Sequence, residues 1–310
     1  MRFVLVAAAA ALGCLMTCPA QAQSADVERL GAAMKAARWT GPMLASTAET
    51  LPQGHFYTEP YFYDVIVSGD HHPGSSGFYQ YGLRDNLTVG FQPSFATATN
   101  RIGRGMAIGD FKLLSQLRLT HFTPNHRVPT IALVLNEVIP TGKFDHLGPA
   151  QEGHGSGAFA TEIGVNVQHW FQLKNGRLLR ARINVLQRFW NRTSVDGRSV
   201  YGTDAGFRGH ARPGSRTTLI GAVEYSLTNE WVLALDVEAD FAGRTTLVGR
   251  DGTGAVVRTT SPASRSIGFA PAIEYNWSPS TGALFGVWIV PRGHNTPPSV
   301  TPAIAISRFW

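Results

Sequence analysis

From Phe56 to Trp310 the chain is a series of segments in which apolar and polar side chains alternate, separated by turn-forming residues. Twelve such strand candidates fall at 56–67, 77–84, 87–95, 109–120, 128–139, 158–171, 178–190, 216–226, 231–242, 265–276, 283–291 and 299–310. Many run to about 11 residues, the length of a tilted strand crossing a bilayer. The last one, Ile304-Ala305-Ile306-Ser307-Arg308-Phe309-Trp310, carries the strand pattern to an aromatic final residue. In lipid every backbone N–H and C=O needs a partner within the protein, so a spanning sheet cannot have a free edge. An even number of such strands therefore predicts an all-β fold: a transmembrane antiparallel β-barrel of about 12 strands.

The links alternate in length. Asp85-Asn86, Phe122–His126, Leu173–Gly176, Leu227–Glu230 and Ser278–Gly282 are short and rich in turn chemistry. The intervening links at 68–76, 96–108, 140–157, 191–215 and 243–264 are longer, and 292–298 is again short. Bacterial outer-membrane barrels have this pattern, with short periplasmic turns and longer outer loops.

The faces fix which side is enclosed. In 231–241, Trp231, Leu233, Leu235, Val237 and Phe241 oppose Asp236, Glu238 and Asp240. In 178–189, Leu179, Ala181, Ile183, Val185 and Phe189 oppose Arg180, Arg182, Asn184 and Arg188. A soluble sandwich also alternates, with its apolar face inside. Strand length and aromatics near strand ends favour the barrel: Phe56, Tyr57, Trp170, Phe171, Phe189, Trp190, Trp231, Trp277, Phe309 and Trp310 read as interface girdles. An arginine facing lipid near the midplane costs about 2–4 kcal/mol, so the charged faces must point inward. The expected lumen-lining residues are the bases Lys112, Arg118, Arg180, Arg182 and Arg188 and the acids Glu162, Glu224, Asp236, Glu238, Asp240 and Glu274. Such mixed charge either sets ion selectivity in a pore or forms a salt-bridged filling. Strand 128–139 is ambiguous, because Ile131, Leu133 and Leu135 oppose Ala132 and Val134.

Residues 1–22 read as a secretory signal: Arg2, an apolar run from Phe3 to Cys18, then Ala20-Gln21-Ala22 as a small-x-small cleavage pattern. Its removal takes away both cysteines, Cys14 and Cys18, and lowers the formal charge from +6 to +5. Disulfides and thiolate chemistry are then excluded from the mature chain. Dispersed basic residues argue against nucleic acid, and no cofactor is expected. Residues 23–55 hold the one convincing helix, 24–38, capped by Ser24 with Val27, Leu30, Met34 and Ala37 on one side, followed by a linker. This part either rests on the periplasmic mouth or enters the lumen as a plug.

Several segments resemble a known family. Leu51-Pro52-Gln53-Gly54-His55-Phe56-Tyr57-Thr58-Glu59-Pro60, Tyr81-Gly82-Leu83, Ile108-Gly109-Asp110, Pro140-Thr141-Gly142-Lys143-Phe144-Asp145, Ser199-Val200-Tyr201-Gly202-Thr203 and Pro271-Ala272-Ile273-Glu274-Tyr275-Asn276 look like the outer-membrane transporters named for the MetA pathway of phenol degradation. The resemblance runs from about residue 40 to the end. It implies a barrel of a Gram-negative outer membrane associated with uptake of aromatic or other apolar compounds. It carries over no binding residues.

Three functions compete. The first is a channel or transporter for a small organic solute, with membrane lipid and lipopolysaccharide as surroundings; Arg192, Arg198, Arg208 and Arg212 in the 191–215 loop suit lipopolysaccharide phosphates or a constriction. The second is a non-conducting structural or adhesive barrel. The third is a barrel-wall lipid hydrolase using His154 and Ser156, or His71 and His72 with Ser75 and Ser76; these lie in predicted loops with no Asn or Asp placed as orienter. The same histidines with Asp70 lack regular metal-ligand spacing.

Overall fold

The computed structural model describes residues 20–100, 103–148 and 153–310. The signal assigned to 1–22 falls outside these residues except for its last three. Those three belong to helix α1, Ala20–Ala36. Ser24 is therefore inside the helix, and its expected capping role is corrected.

The described residues form eighteen strands: β1 Phe56–Val67, β2 Asp70–Arg84, β3 Leu87–Gln92, β4 Ser94–Asn100, β5 Gly103–Ile108, β6 Phe111–Thr120, β7 Thr130–Ile139, β8 Ala160–Gln172, β9 Leu178–Trp190, β10 Thr193–Asp196, β11 Arg208–Arg212, β12 Arg216–Ser226, β13 Trp231–Ala242, β14 Thr245–Arg250, β15 Val256–Ser261, β16 Ser264–Ser278, β17 Thr281–Val290 and β18 Ser299–Phe309. Twelve of them close into an antiparallel barrel in the order β1-β18-β17-β16-β13-β12-β9-β8-β7-β6-β3-β2, sealed by β1 against β2. They coincide with the twelve sequence candidates, shifted at most by a few residues except at the start of β2.

That exception has a local cause. The expected 68–76 loop is instead a two-residue turn, Ser68-Gly69, and β2 begins at Asp70. Both turn residues have positive φ, 54° and 90°, the primed-turn geometry whose twist matches a hairpin. The other long links also carry strands. β4 and β5 form a hairpin that pairs with β2 above Pro93, where the missing N–H interrupts the ladder. β10, β11, β14 and β15 form a separate four-stranded sheet at the loop end of the barrel. Val195, Phe207, Ala211 and Leu247 make its core, with Phe144 and Tyr201 packed on it.

Burial is inverted relative to a soluble sheet. Leu235 and Val237 are 42% and 39% exposed while Asp236 between them is at 0%. Leu133, Ile163, Ile183, Val223, Ile273, Phe285 and Ile304 continue the exposed apolar belt around the barrel. Thus the hydrophobic surface is outside, and its removal from water requires a bilayer. The ambiguity of β7 resolves the same way: Ala132, Val134 and Val138 are buried, and Leu133 and Leu135 exposed.

The aromatic girdle is thinner than expected. Phe56, Phe171, Trp231, Trp277 and Trp310 face outward at the turn end and Phe189 at the loop end. Four expected members turn inward instead. Trp170 meets Trp39 edge-on at 5.1 Å, Phe309 stacks on His55 at 5.1 Å, Trp190 sits under the Arg188 guanidinium at 5.6 Å, and Tyr57 is half-buried. Near a strand end, one position in two faces the lumen, so nearness to the end does not decide the side.

Candidate functional site in the barrel lumen

The inward faces of the barrel strands bring most of the expected charges into one enclosed space, in tiers. At the turn-end mouth, α1 lays Leu30 onto Phe122 of the β6–β7 turn and Leu178 at the start of β9. Directly after the helix, Arg180 is held between Trp39 and Trp170, its guanidinium 4.6 Å and 5.0 Å from the two rings. Arg38 donates from its backbone to the carbonyl of Asn229 at 3.0 Å. From here the chain passes into the barrel.

The middle tier is occupied by residues 40–53, an extended strap. Its backbone has no secondary-structure partner, so the wall must satisfy it. Glu274 accepts from the Thr40 and Gly41 amides at 2.7 Å and 3.1 Å. Asp236 accepts from Ala45 and Leu44 at 2.9 Å and 3.3 Å. Arg182 donates to the Ala45 carbonyl at 2.8 Å, Asn184 to Ser46 at 3.0 Å, and Gln116 to Glu49 at 2.8 Å. Thr88 receives the Leu51 amide at 2.8 Å. On the opposite wall Met43 packs against Tyr61, Leu284, Ala303 and Ala305. The strap therefore touches both sides of the lumen. Gly41 has φ 134°, a backbone state that other residues reach only with strain.

The charges pair across neighbouring strands. Glu224 lies opposite Arg180 in the ladder and is hydrogen-bonded to it; Arg182 reaches the same carboxylate at 3.0 Å. These groups are essentially buried, so each depends on the others for its solvation. Arg118 pairs at 2.9 Å with Glu49 of the strap, which also accepts from Thr130 at 2.8 Å.

Above the strap, Glu162 gathers Lys112 at 3.2 Å, Arg188 at 2.5 Å and Asn136 at 2.9 Å. Asp240 takes Arg216 at 2.6 Å and Thr218 at 3.0 Å. Glu238 is half-buried on the same face with no hydrogen-bond or ion-pair partner among the described residues. A cavity of about 250 Å³ remains at this level, lined in part by Gln92, Asp110, Lys112 and Arg188. Asp110 also ties the 140–157 loop down, accepting from the Gly142 amide at 3.1 Å, the Ser156 amide at 2.8 Å and the Ser156 hydroxyl at 2.6 Å. The Tyr201 hydroxyl donates to the Ser156 carbonyl; burial and the Asp110 charge push its pKa up to about 12.

Asp110 thus engages Ser156 itself and orients no histidine among the described residues. The arrangement still lacks a base. His154 Nε2 is buried without a hydrogen-bond partner, and His71 is engaged with Asp64 at 2.5 Å. Ser76 accepts from Gln92 at 3.1 Å, and no histidine nitrogen is bonded to a serine hydroxyl among the described residues. The loop arginines Arg192, Arg198, Arg208 and Arg212 are exposed at the loop end, Arg208 3.7 Å from Asp196.

Glu49 and Glu59 are the inward acids that the sequence reading missed. Glu49 lies on the strap, which has no period to read. Glu59 is 7% exposed on β1, where Tyr57, Tyr61 and Tyr63 share its inward side. Aromatic residues there masked the polar face.

No protein-family model matches the chain, and no curated protein sequence does. Among solved structures, an outer membrane channel from Pseudomonas putida F1 superposes with a TM-score of 0.60 at 13% identity, covering 86% of this chain and 100% of that one. The NanC porin superposes more loosely, with a TM-score of 0.49 at 11% identity over 80% of this chain and 98% of that one. The first likeness establishes a shared barrel fold. The phenol-degradation resemblance rests on its short segments alone.

Proposed function

We propose that this chain is an outer-membrane channel for small organic compounds, with the 40–53 strap as the obstruction in its path. One observation carries the reading: a closed barrel with a continuous apolar exterior encloses an ionic lumen that holds the strap mainly by hydrogen bonds, with only small apolar contacts at Met43 and Ala45. Hydrogen bonds to a strap can be exchanged for water one at a time, each at a net cost of about 1–3 kcal/mol. A fused hydrophobic core would not yield that way. The apolar exterior and the outward girdle support residence in the outer membrane of a Gram-negative cell, after removal of residues 1–22. The resemblance to the phenol-degradation transporters favours aromatic or apolar solutes. Exposed Arg192, Arg198, Arg208 and Arg212 suit lipopolysaccharide phosphates, because a guanidinium fork matches phosphate oxygens.

The test is uptake of a panel of aromatic and aliphatic compounds by cells with and without the protein, paired with single-channel recording in planar bilayers. Solute-dependent uptake with discrete conductance supports the channel. A silent bilayer and unchanged uptake favour the second reading, a structural or adhesive barrel; the filled middle tier is the observation behind that one. Lipase activity lost in Ser156→Ala would favour the third reading, a barrel-wall hydrolase.

A further inference from the structure

Helix α1 and the β6–β7 and β8–β9 turns flank an open cavity of about 410 Å³ at the turn end, bordered by Leu30 and Trp170 of the mouth. Its lining includes Arg29 of the helix, Arg127 of one turn and Lys174 of the other, and no acidic residue. None of these three cations has an ion-pair partner among the described residues. His169 adds a buried Nδ1 with no hydrogen-bond partner. Three exposed cations and an orphan ring nitrogen line one space that holds no acidic group. An anion placed there would be favoured by each of them.

The position of the cavity selects the anion. His169 and Phe171 project from the side of β8 that carries exposed Ile163, which is the apolar exterior of the barrel. Their rings touch, with centroids 4.7 Å apart, and Phe171 is 45% exposed. The cavity is thus apolar on its outer wall and cationic towards the turns. A diffusing inorganic ion has no use for the apolar wall, whereas a phosphodiester on a glycerol backbone uses both.

We propose that this cavity binds the phosphate headgroup of an anionic phospholipid. Arg127 and Lys174 hold the phosphate oxygens from the barrel, Arg29 holds them from the helix, and Phe171 lies along the glycerol and first methylenes. Juxtamembrane basic residues bind anionic lipid with about 1 kcal/mol each. The lipid bridges α1 to two turns, so it also helps to seat the helix that leads into the strap. The site rests on the membrane reading, but not on conduction.

The full-length protein is inserted into vesicles of equal parts phosphatidylcholine and phosphatidylglycerol, extracted, and analysed for retained lipid by native mass spectrometry. Phosphatidylglycerol is expected to be enriched, and the enrichment to fall about 30-fold in the Arg127→Gln, Lys174→Gln double variant. Both residues are exposed turn positions, and heat-dependent gel mobility reports whether the barrel has folded. Equal retention of the two lipids, or unchanged enrichment in the folded double variant, overturns the proposal. Displacement of phosphatidylglycerol by inorganic phosphate alone also overturns it, in favour of a soluble anion. Failure of the wild-type chain to insert into vesicles would instead overturn the membrane reading, and this site with it.

Discussion

Glu162 is shared by two cations, and its removal should therefore affect more than one pair. At 3% exposed it neutralises Lys112 and Arg188, themselves about one-fifth exposed at the side chain. Glu162→Gln keeps the hydrogen bond from Asn136 but leaves two cations adjacent. Breaking a buried pair in this way costs about 3 kcal/mol, less where water still reaches the partners. The expected results are a lower urea midpoint and, if the lumen conducts, a shift of reversal potential towards anion preference. An unchanged reversal potential would take Glu162 out of the ion path. Tyr201 offers a pH-dependent contact at the same scale. Its hydroxyl, raised to about 12 against an ordinary value near 10, stabilises the loop while protonated. The contribution is complete below pH 10 and disappears as pH rises through 12. Proteolysis of the 140–157 loop should accelerate across that window in the wild type, with a smaller step in Tyr201→Phe.

At the level of elements, the strap and the outer face of β13 make opposite predictions. Replacing both strap anchors, Asp236→Asn with Glu274→Gln, weakens four backbone hydrogen bonds without removing a wall side chain. Charge-assisted bonds are roughly twice as strong as neutral ones, so the strap should detach more often and mean conductance should rise. A conductance equal to wild type would mean that the strap does not control the path. On the other side of the same strand, Leu235→Arg puts a charge into the apolar belt. The cost there is about 2–4 kcal/mol near the bilayer midplane, read as loss of the folded, heat-modifiable gel band. Leu235→Arg folding as well as wild type would show that this face is not in lipid.

The barrel as a whole was legible because its two constraints are periodic. A strand that separates hydrocarbon from an enclosed polar space must alternate, so all twelve wall strands could be read from pattern alone. Strands outside the membrane obey no such rule. In β11, Arg208, His210 and Arg212 are exposed around a buried Ala211, a pattern too short and too polar to separate from a loop. The strap was illegible for a different reason: residues 40–53 are positioned by partners such as Glu274 and Asp236, more than 190 positions away in sequence. The same long-range pairing joins Glu49 to Arg118. Cysteine accessibility along β13 tests the whole arrangement, with position 236 expected to label only after strap release and positions 235 and 237 only from lipid.

The sequence by itself determined the wall: the number of crossings and the greasy side of all but the 128–139 strand, because each follows from local alternation and the energetic penalty of charge in hydrocarbon. Only the tertiary structure decided what fills the enclosed space. Which carboxylate meets which guanidinium, and whether the N-terminal segment lies across the lumen, depend on ring closure and register. Those bring residues from opposite ends of the chain within hydrogen-bond reach, and no local pattern encodes that distance.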